Sequence, residues 1–359
     1  MKKFSLSICF ISMTVFLFGQ GPKEGKVIYE SIFASTLKTN KGGENPVRSV
    51  MVYLPPGYES GNQRYPVIYY LHGFENNDTM FITGARFDKL MDEGIASGKI
   101  RPAILIIPNE YTLFKGSFYT NSPVTGNWED FTAKELVDFI DKKYRTIPDR
   151  NSRGLAGISM GGYGAIKLGM LYPDVFGSIY AESPAILGMG QDFTIYHPSF
   201  KTAQQGTMDE IFNDSQATAW IAMGRAFSPN LAKPPFYCDF PVTYKGDEIV
   251  VNYDALRNWE KNLPVNMIDD HIKEIKSLNA IKIDWGRNDE NTHIPVTSLL
   301  FSQKLEALGI KHEAEIYNGD HSHWVWGKDG RWYTELLPFF NRYLNFQMKE
   351  ITEELWKRN

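Results

Sequence analysis

The chain has 359 residues, 43% of them hydrophobic and 14% aromatic, with a formal charge of −4. That is enough apolar material for a large buried core, and charges of both signs are mixed without a long basic block, which excludes the electrostatic footprint of a nucleic-acid groove. Only two cysteines occur, Cys9 and Cys238, so a cysteine-based zinc site is excluded, and so is an internal disulfide once the N-terminal segment is removed.

That segment reads as an export signal over residues 1–20. Lys2 and Lys3 precede an apolar stretch at 4–18, followed by Gly19 and Gln20. The stretch is shorter than the roughly 20 residues of a spanning helix. The mature chain is therefore expected to begin near Gly21, outside the cytoplasm in periplasm or medium, with no stable membrane insertion.

From Lys26 onward, apolar runs alternate with amphipathic stretches, the pattern of an α/β protein. Residues 49–54 alternate and stop at Pro55-Pro56-Gly57. Val67-Ile68-Tyr69-Tyr70-Leu71 is continuously apolar, as a strand buried on both faces must be. Phe87, Leu90, Met91 and Ile95 recur at helical spacing, and Ala103-Ile104-Leu105-Ile106-Ile107 forms another strand before Pro108. A helix is predicted at 129–144, a short strand at 153–156, a glycine-rich turn, a helix to about Tyr172 and a strand at 178–181. Regular order then lapses over 188–279, a proline-rich stretch with helical pieces at 209–227 and 267–278. It resumes with a strand at 281–285, a helix at 295–308, a strand at 313–317 and a terminal helix near 332–346. The expectation is one domain over 21–359, a mostly parallel central sheet with helices on both faces and a late cap-like insertion.

Chemistry enters at Gly157-Ile158-Ser159-Met160-Gly161, between a short apolar strand and a helix. A nucleophile elbow needs that placement: a tight turn with small neighbours lifts the serine hydroxyl above the sheet edge and aims a helix N-terminus at it. Ser159 then needs a base, and the base an acid, in the chain order Ser, acid, His on loops after late strands. Among the histidines, His72, His197 and His271 come too early, His293 sits too near the acid loop and His312 begins a strand. His321 follows the Gly319-Asp320 turn and is the expected base, with His323 as its rival. Asp289, at the end of Gly286-Arg287-Asn288-Asp289, is the expected acid, with Glu182 at the end of the preceding strand as its rival. The negative oxygen of a tetrahedral intermediate requires two backbone donors, here the amides of Met160 and of Phe74 in Leu71-His72-Gly73-Phe74. His72 reads as a structural hydrogen-bonding residue and Cys238 as a small partly buried side chain. His321 and His323 lack the carboxylate or cysteine at ligand spacing that a metal site would need.

Several segments together, Met51-Val52-Tyr53-Leu54-Pro55-Pro56-Gly57-Tyr58, Leu71-His72-Gly73, Gly116-Ser117-Phe118-Tyr119, Gly157 to Gly162 and Gly319-Asp320-His321-Ser322, resemble the putative-esterase family. It contains feruloyl and acetylxylan esterases, esterase D, enterochelin-type esterases and mycolyltransferases. The resemblance implies the α/β-hydrolase fold. It also implies a tryptophan five residues after the histidine, where Trp326 stands. Two features depart from the family: Gly319-Asp320 replaces its Gly-Gly, and the 188–279 insertion is longer than in compact feruloyl esterases. The expected activity is hydrolysis of a small-molecule or glycan ester, of feruloyl or acetyl type, through an acyl-enzyme and without a cofactor or metal. Acyl transfer by the same residues and an inactive carbohydrate-binding relative are the alternatives. Trp324 and Trp326 are the expected substrate contacts; the insertion's aromatics, among them Phe193, Phe200, Trp220 and Trp259, divide between core and pocket.

Overall fold

The apolar runs pair into one sheet. In the computed structural model, which describes residues 24–347 except Asp247, its strands are β1 (Lys26–Phe33), β2 (Val47–Leu54), β3 (Val67–Leu71), β4 (Ile104–Pro108), β5 (Arg153–Ile158), β6 (Ser178–Glu182), β7 (Ala280–Gly286) and β8 (Glu313–Tyr317). Their order is β1-β2-β4-β3-β5-β6-β7-β8. β2 runs antiparallel to both β1 and β4, and every later pairing is parallel. The export segment 1–20 lies outside the described residues.

Side chains alternate across the sheet and so feed two cores. Val67, Tyr69 and Leu71 of β3 face one that includes the helix Met160–Leu171. Ile68 and Tyr70 face the other, with the helices Phe87–Ala96 and Leu337–Tyr343. Each fully buried side chain of this kind contributes roughly 1.5–3 kcal/mol. The central strands β3 and β4 are buried throughout, whereas the edge strand β8 carries exposed Glu315 between half-buried ends. Edge position explains why that strand is charged and the middle ones are not.

The insertion departs from its predicted helices. The helix predicted at 209–227 is two, Met208–Asn213 and Ser215–Phe227. Asp214 between them is extended and its side chain accepts from the Ala217 amide at 3.0 Å, capping the second helix. The stretch 267–278 likewise breaks, into Pro264–Met267, a short 3₁₀ turn and Ile272–Ser277. A hairpin, Val242–Lys245 with Glu248–Val251, was not predicted, because Pro241 and Gly246 mask its short alternation. Phe200 stacks on Trp220 at 4.5 Å, and Trp259 packs against both. These rings belong to the same apolar cluster as the sheet.

Candidate active site

The serine sits where strand turns to helix. Ser159 has φ 57° and ψ −118°, a conformation that costs a non-glycine residue on the order of 1–3 kcal/mol and persists only where neighbours enforce it. Here its amide donates to the Glu182 carbonyl at 2.9 Å, and its own carbonyl accepts from Tyr163 at 2.9 Å and Ala185 at 3.0 Å. Gly161 permits the turn: a Cβ there would stand 2.0 Å from the Leu71 carbonyl oxygen.

Two loops after β7 and β8 supply a second pair. His321 Nδ1 lies 2.8 Å from Asp289 Oδ2, and the Asp289 side chain is fully buried. The other oxygen, Oδ1, accepts from the Asn291 amide at 2.9 Å, which fixes the carboxylate plane. The His321 amide donates to Glu290 at 3.1 Å. Gly286 lets the loops cross, since a Cβ there would meet the Asp320 carbonyl at 2.2 Å. With Nδ1 bound to a carboxylate, Nε2 of His321 is the nitrogen left for proton transfer.

The rivals lie elsewhere. The Glu182 carboxyl accepts from the Tyr70 hydroxyl at 2.7 Å, and its second oxygen is buried without a partner. Burial first, and then the charge of neighbouring Asp284, push its pKa well up, and its hydrogen bond runs to Tyr70 inside the core and not to a histidine. His323 is about half exposed, its nearest acidic group Asp320 at 3.9 Å.

The loop after β3 is held from below. The Glu110 amide donates to His72 Nε2 at 2.8 Å, so the ring proton sits on Nδ1 and bonds the Gly73 carbonyl at 2.8 Å. Burial pushes the His72 imidazole down to about 4, keeping it neutral. Tyr119 donates to the His72 carbonyl at 2.8 Å. Beneath them burial pushes the Glu110 carboxyl up to about 8, with Ser117 and Thr132 donating to it. Among the described residues, the amides of Phe74 and Met160 have no acceptor within the chain.

Ser159 and Phe74 border two cavities. The larger, about 460 Å³, is also lined by Gly73, Met80, Phe81, His321 and Trp326. The smaller, about 120 Å³, is bordered by Met160, Phe118, Phe193, Met223 and His293. Ser215, Gln216, Ala219 and Met223 of helix Ser215–Phe227 line it too, which brings the insertion to the serine's cavity. Trp326 is fixed by Phe81 at 5.6 Å and Phe87 at 5.5 Å. Trp324, also an expected substrate contact, lies apart from Trp326. It lines neither cavity; with φ 61° it turns outward, 51% exposed, against His323 on a shallow surface depression. Of the insertion aromatics, Phe193 reaches the small cavity, while Phe200, Trp220 and Trp259 are core. His293, set aside from the sequence for its closeness to the acid loop, borders the same cavity. Among the described residues no group of three His, Cys, Asp or Glu could hold a metal ion, and no helix is long and apolar enough to cross a membrane.

The chain is similar to known proteins in sequence and in fold. A model of the family described as putative esterase matches residues 45–329. An esterase of Mycobacterium tuberculosis strain H37Rv is 28% identical over 290 residues, 79% of this chain and 54% of that protein. The chain thus spans about half the length of that curated relative. An endo-1,4-beta-xylanase/feruloyl esterase of Xylanibacter ruminicola is 34% identical over 143 residues, 36% of this chain and 19% of that one. Among solved structures, a ferulic acid esterase superposes with a TM-score of 0.62 at 22% identity, covering 89% of this chain and 99% of the other. An S-formylglutathione hydrolase from Agrobacterium tumefaciens gives 0.60 at 15% identity, covering 90% and 97%. At such identities the likeness concerns the fold, and the fold is that of the α/β-hydrolases.

Proposed function

The chain belongs to the putative-esterase family, and from that premise we propose that it is an exported serine carboxylic-ester hydrolase that removes acyl groups from carbohydrate. The observation that carries this is the Asp289–His321 pair at 2.8 Å, placed in a cavity shared with a Ser159 held at positive φ. His321 Nε2 takes the Ser159 hydroxyl proton as Oγ attacks the ester carbonyl. The tetrahedral oxyanion is received by the Phe74 and Met160 amides. Its collapse breaks the bond to the alcohol, which leaves with the proton from His321. Water activated by the same nitrogen then frees the acid and restores the serine, so the cycle needs no cofactor.

Carbohydrate is favoured as the alcohol for two reasons. The relative from Xylanibacter ruminicola is named for xylan and feruloyl ester chemistry. In addition, the larger cavity has the indole of Trp326 as a wall, a planar surface suited to a sugar face. Export is supported by the basic-then-apolar pattern of residues 1–20. The test is a panel of acetyl, feruloyl and long-chain esters of sugars and simple alcohols, with products identified by mass. Acylated sugars should be turned over faster than long-chain lipids, and Ser159→Ala should lose all of it; a fluorophosphonate label on another serine would overturn the assignment.

A further inference from the structure

The loop that carries His321 also carries a tryptophan that the hydrolytic cycle does not use. Among the described residues Trp324 is the one exposed tryptophan, and its φ of 61° is one that a bulky residue keeps only where its surroundings enforce it. The backbone on both sides supplies that enforcement. Asp320, the departure from the family's Gly-Gly, accepts from the Ser322 amide at 3.2 Å and the His323 amide at 2.6 Å. The Trp324 carbonyl accepts from the Arg331 amide at 2.6 Å. The buried Val325 amide donates to the Ser322 carbonyl at 3.2 Å, and its carbonyl accepts from the Trp332 amide at 3.1 Å. Arg331 is anchored in turn on Asp284 at 2.7 Å and, through both terminal nitrogens, on Glu315 at 3.2 and 2.6 Å. The indole is therefore presented outward from a braced backbone, with the His323 ring beside it at 4.9 Å.

Its position continues the catalytic cavity. The departing alcohol oxygen receives its proton from His321, which lines the larger cavity and not the smaller, so the alcohol half of the ester occupies the larger one. Ser322 and Trp326 line that cavity and also the shallow surface depression beside Trp324. A sugar chain whose acylated residue lies against Trp326 therefore runs out of the cavity toward Trp324. His323, Lys328 and Asp329 complete the depression, polar groups suited to sugar hydroxyls around a planar apolar face suited to a sugar ring. Resting on the esterase proposal above, we infer that Trp324 is the platform of an outer sugar subsite, and that the enzyme takes acylated glycan chains in preference to acylated single sugars.

The experiment compares xylose, xylotriose, glucose and cellotriose, each carrying a single acetyl group on a terminal residue, with products identified by mass. In the unsubstituted chain kcat/KM for the trisaccharide ester should exceed that for its monosaccharide ester about fivefold in at least one series, through KM, as one ring stacked on a planar face provides. Trp324→Ala should bring that ratio to about one, and Trp324→Phe should restore part of it. Trp324→Gly, which carries no steric cost at this φ, should erase the ratio as the alanine does, which separates a lost contact from a strained loop. If acetylated sugars are hydrolysed through Ser159 with no gain from length in either series, the outer subsite is wrong and the esterase proposal stands. The same holds if the ratio survives both Trp324→Ala and Trp324→Gly. If nitrophenyl acetate is hydrolysed but no acetylated sugar is, the carbohydrate reading fails and the subsite with it. If nitrophenyl acetate is not hydrolysed and Ser159 takes no fluorophosphonate, the esterase proposal itself fails.

Discussion

Two histidine–carboxylate pairs stand near one serine, with nearly the same spacing, 2.8 Å for Asp289–His321 and 2.9 Å for Asp192–His293. Their surroundings differ. Asp289 comes from the loop after β7 and is fully buried, and its histidine rides the loop after β8 into the larger cavity. Asp192 belongs to the insertion and is a third exposed, and its histidine opens a helix that borders the smaller cavity. Pair geometry alone therefore assigns neither histidine a role. The pairs share one segment: Asp289 and His293 both follow β7, and their partners come from the loops after its two neighbours, His321 after β8 and Asp192 after β6.

The sharpest way to break this comparison is to remove each histidine in turn. Ser159→Ala and His321→Ala should each lower kcat on nitrophenyl acetate on the order of 10⁴–10⁶-fold, with unfolding free energy within about 2 kcal/mol of the parent for the serine change. Equal losses from His321→Ala and His293→Ala would show that the assignments of the two pairs are wrong. Next come the carboxylates. Asp289→Asn should cost roughly 10⁴-fold in kcat by upsetting the His321 tautomer, whereas Glu182→Gln, at a side chain turned into the core toward Tyr70, should cost less than about tenfold. A severe Glu182→Gln with a mild Asp289→Asn would move the acid to β6.

A smaller effect distinguishes the pairs by stability. The Asp192 carboxyl has a folded pKa below its unfolded value near 3.8, so its contribution is present above pH 3.8 and is lost as pH falls through the folded value. Melting temperatures of the parent and Asp192→Asn should therefore differ by about 1–2 °C near pH 6, with the gap shrinking only below about pH 3.8 and closing as the folded-state carboxyl itself protonates. A gap that widens in acid would contradict the ionised pair. Smallest are the tryptophans. Trp326→Ala should raise KM for acylated monosaccharides several-fold, and Trp324→Ala, outside both cavities, should change it less than about twofold.

The sequence by itself determined the elements whose cause is local. Continuous apolar runs place β3 and β4, and the flanking glycines of Gly157-Ile158-Ser159-Met160-Gly161 mark a turn that backbone sterics forbid to larger residues, so Ser159 was legible before any fold. Chain order after late strands then narrowed the base to His321 or its rival His323 and the acid to Asp289 or Glu182. Only the tertiary structure sets those two carboxyls apart, with Glu182 pointing back at Tyr70 inside the core while Asp289 meets His321 on a loop 32 residues away. The same holds for Trp324 and Trp326, two residues apart in one loop, where a single residue at positive φ sends one ring outward and leaves the other against Phe81. The insertion's helix break at Asp214 and the second pair at His293 were equally hidden. Periodicity reports which face of an element is apolar, and it carries no information about which loops meet above the carboxyl edge of a sheet.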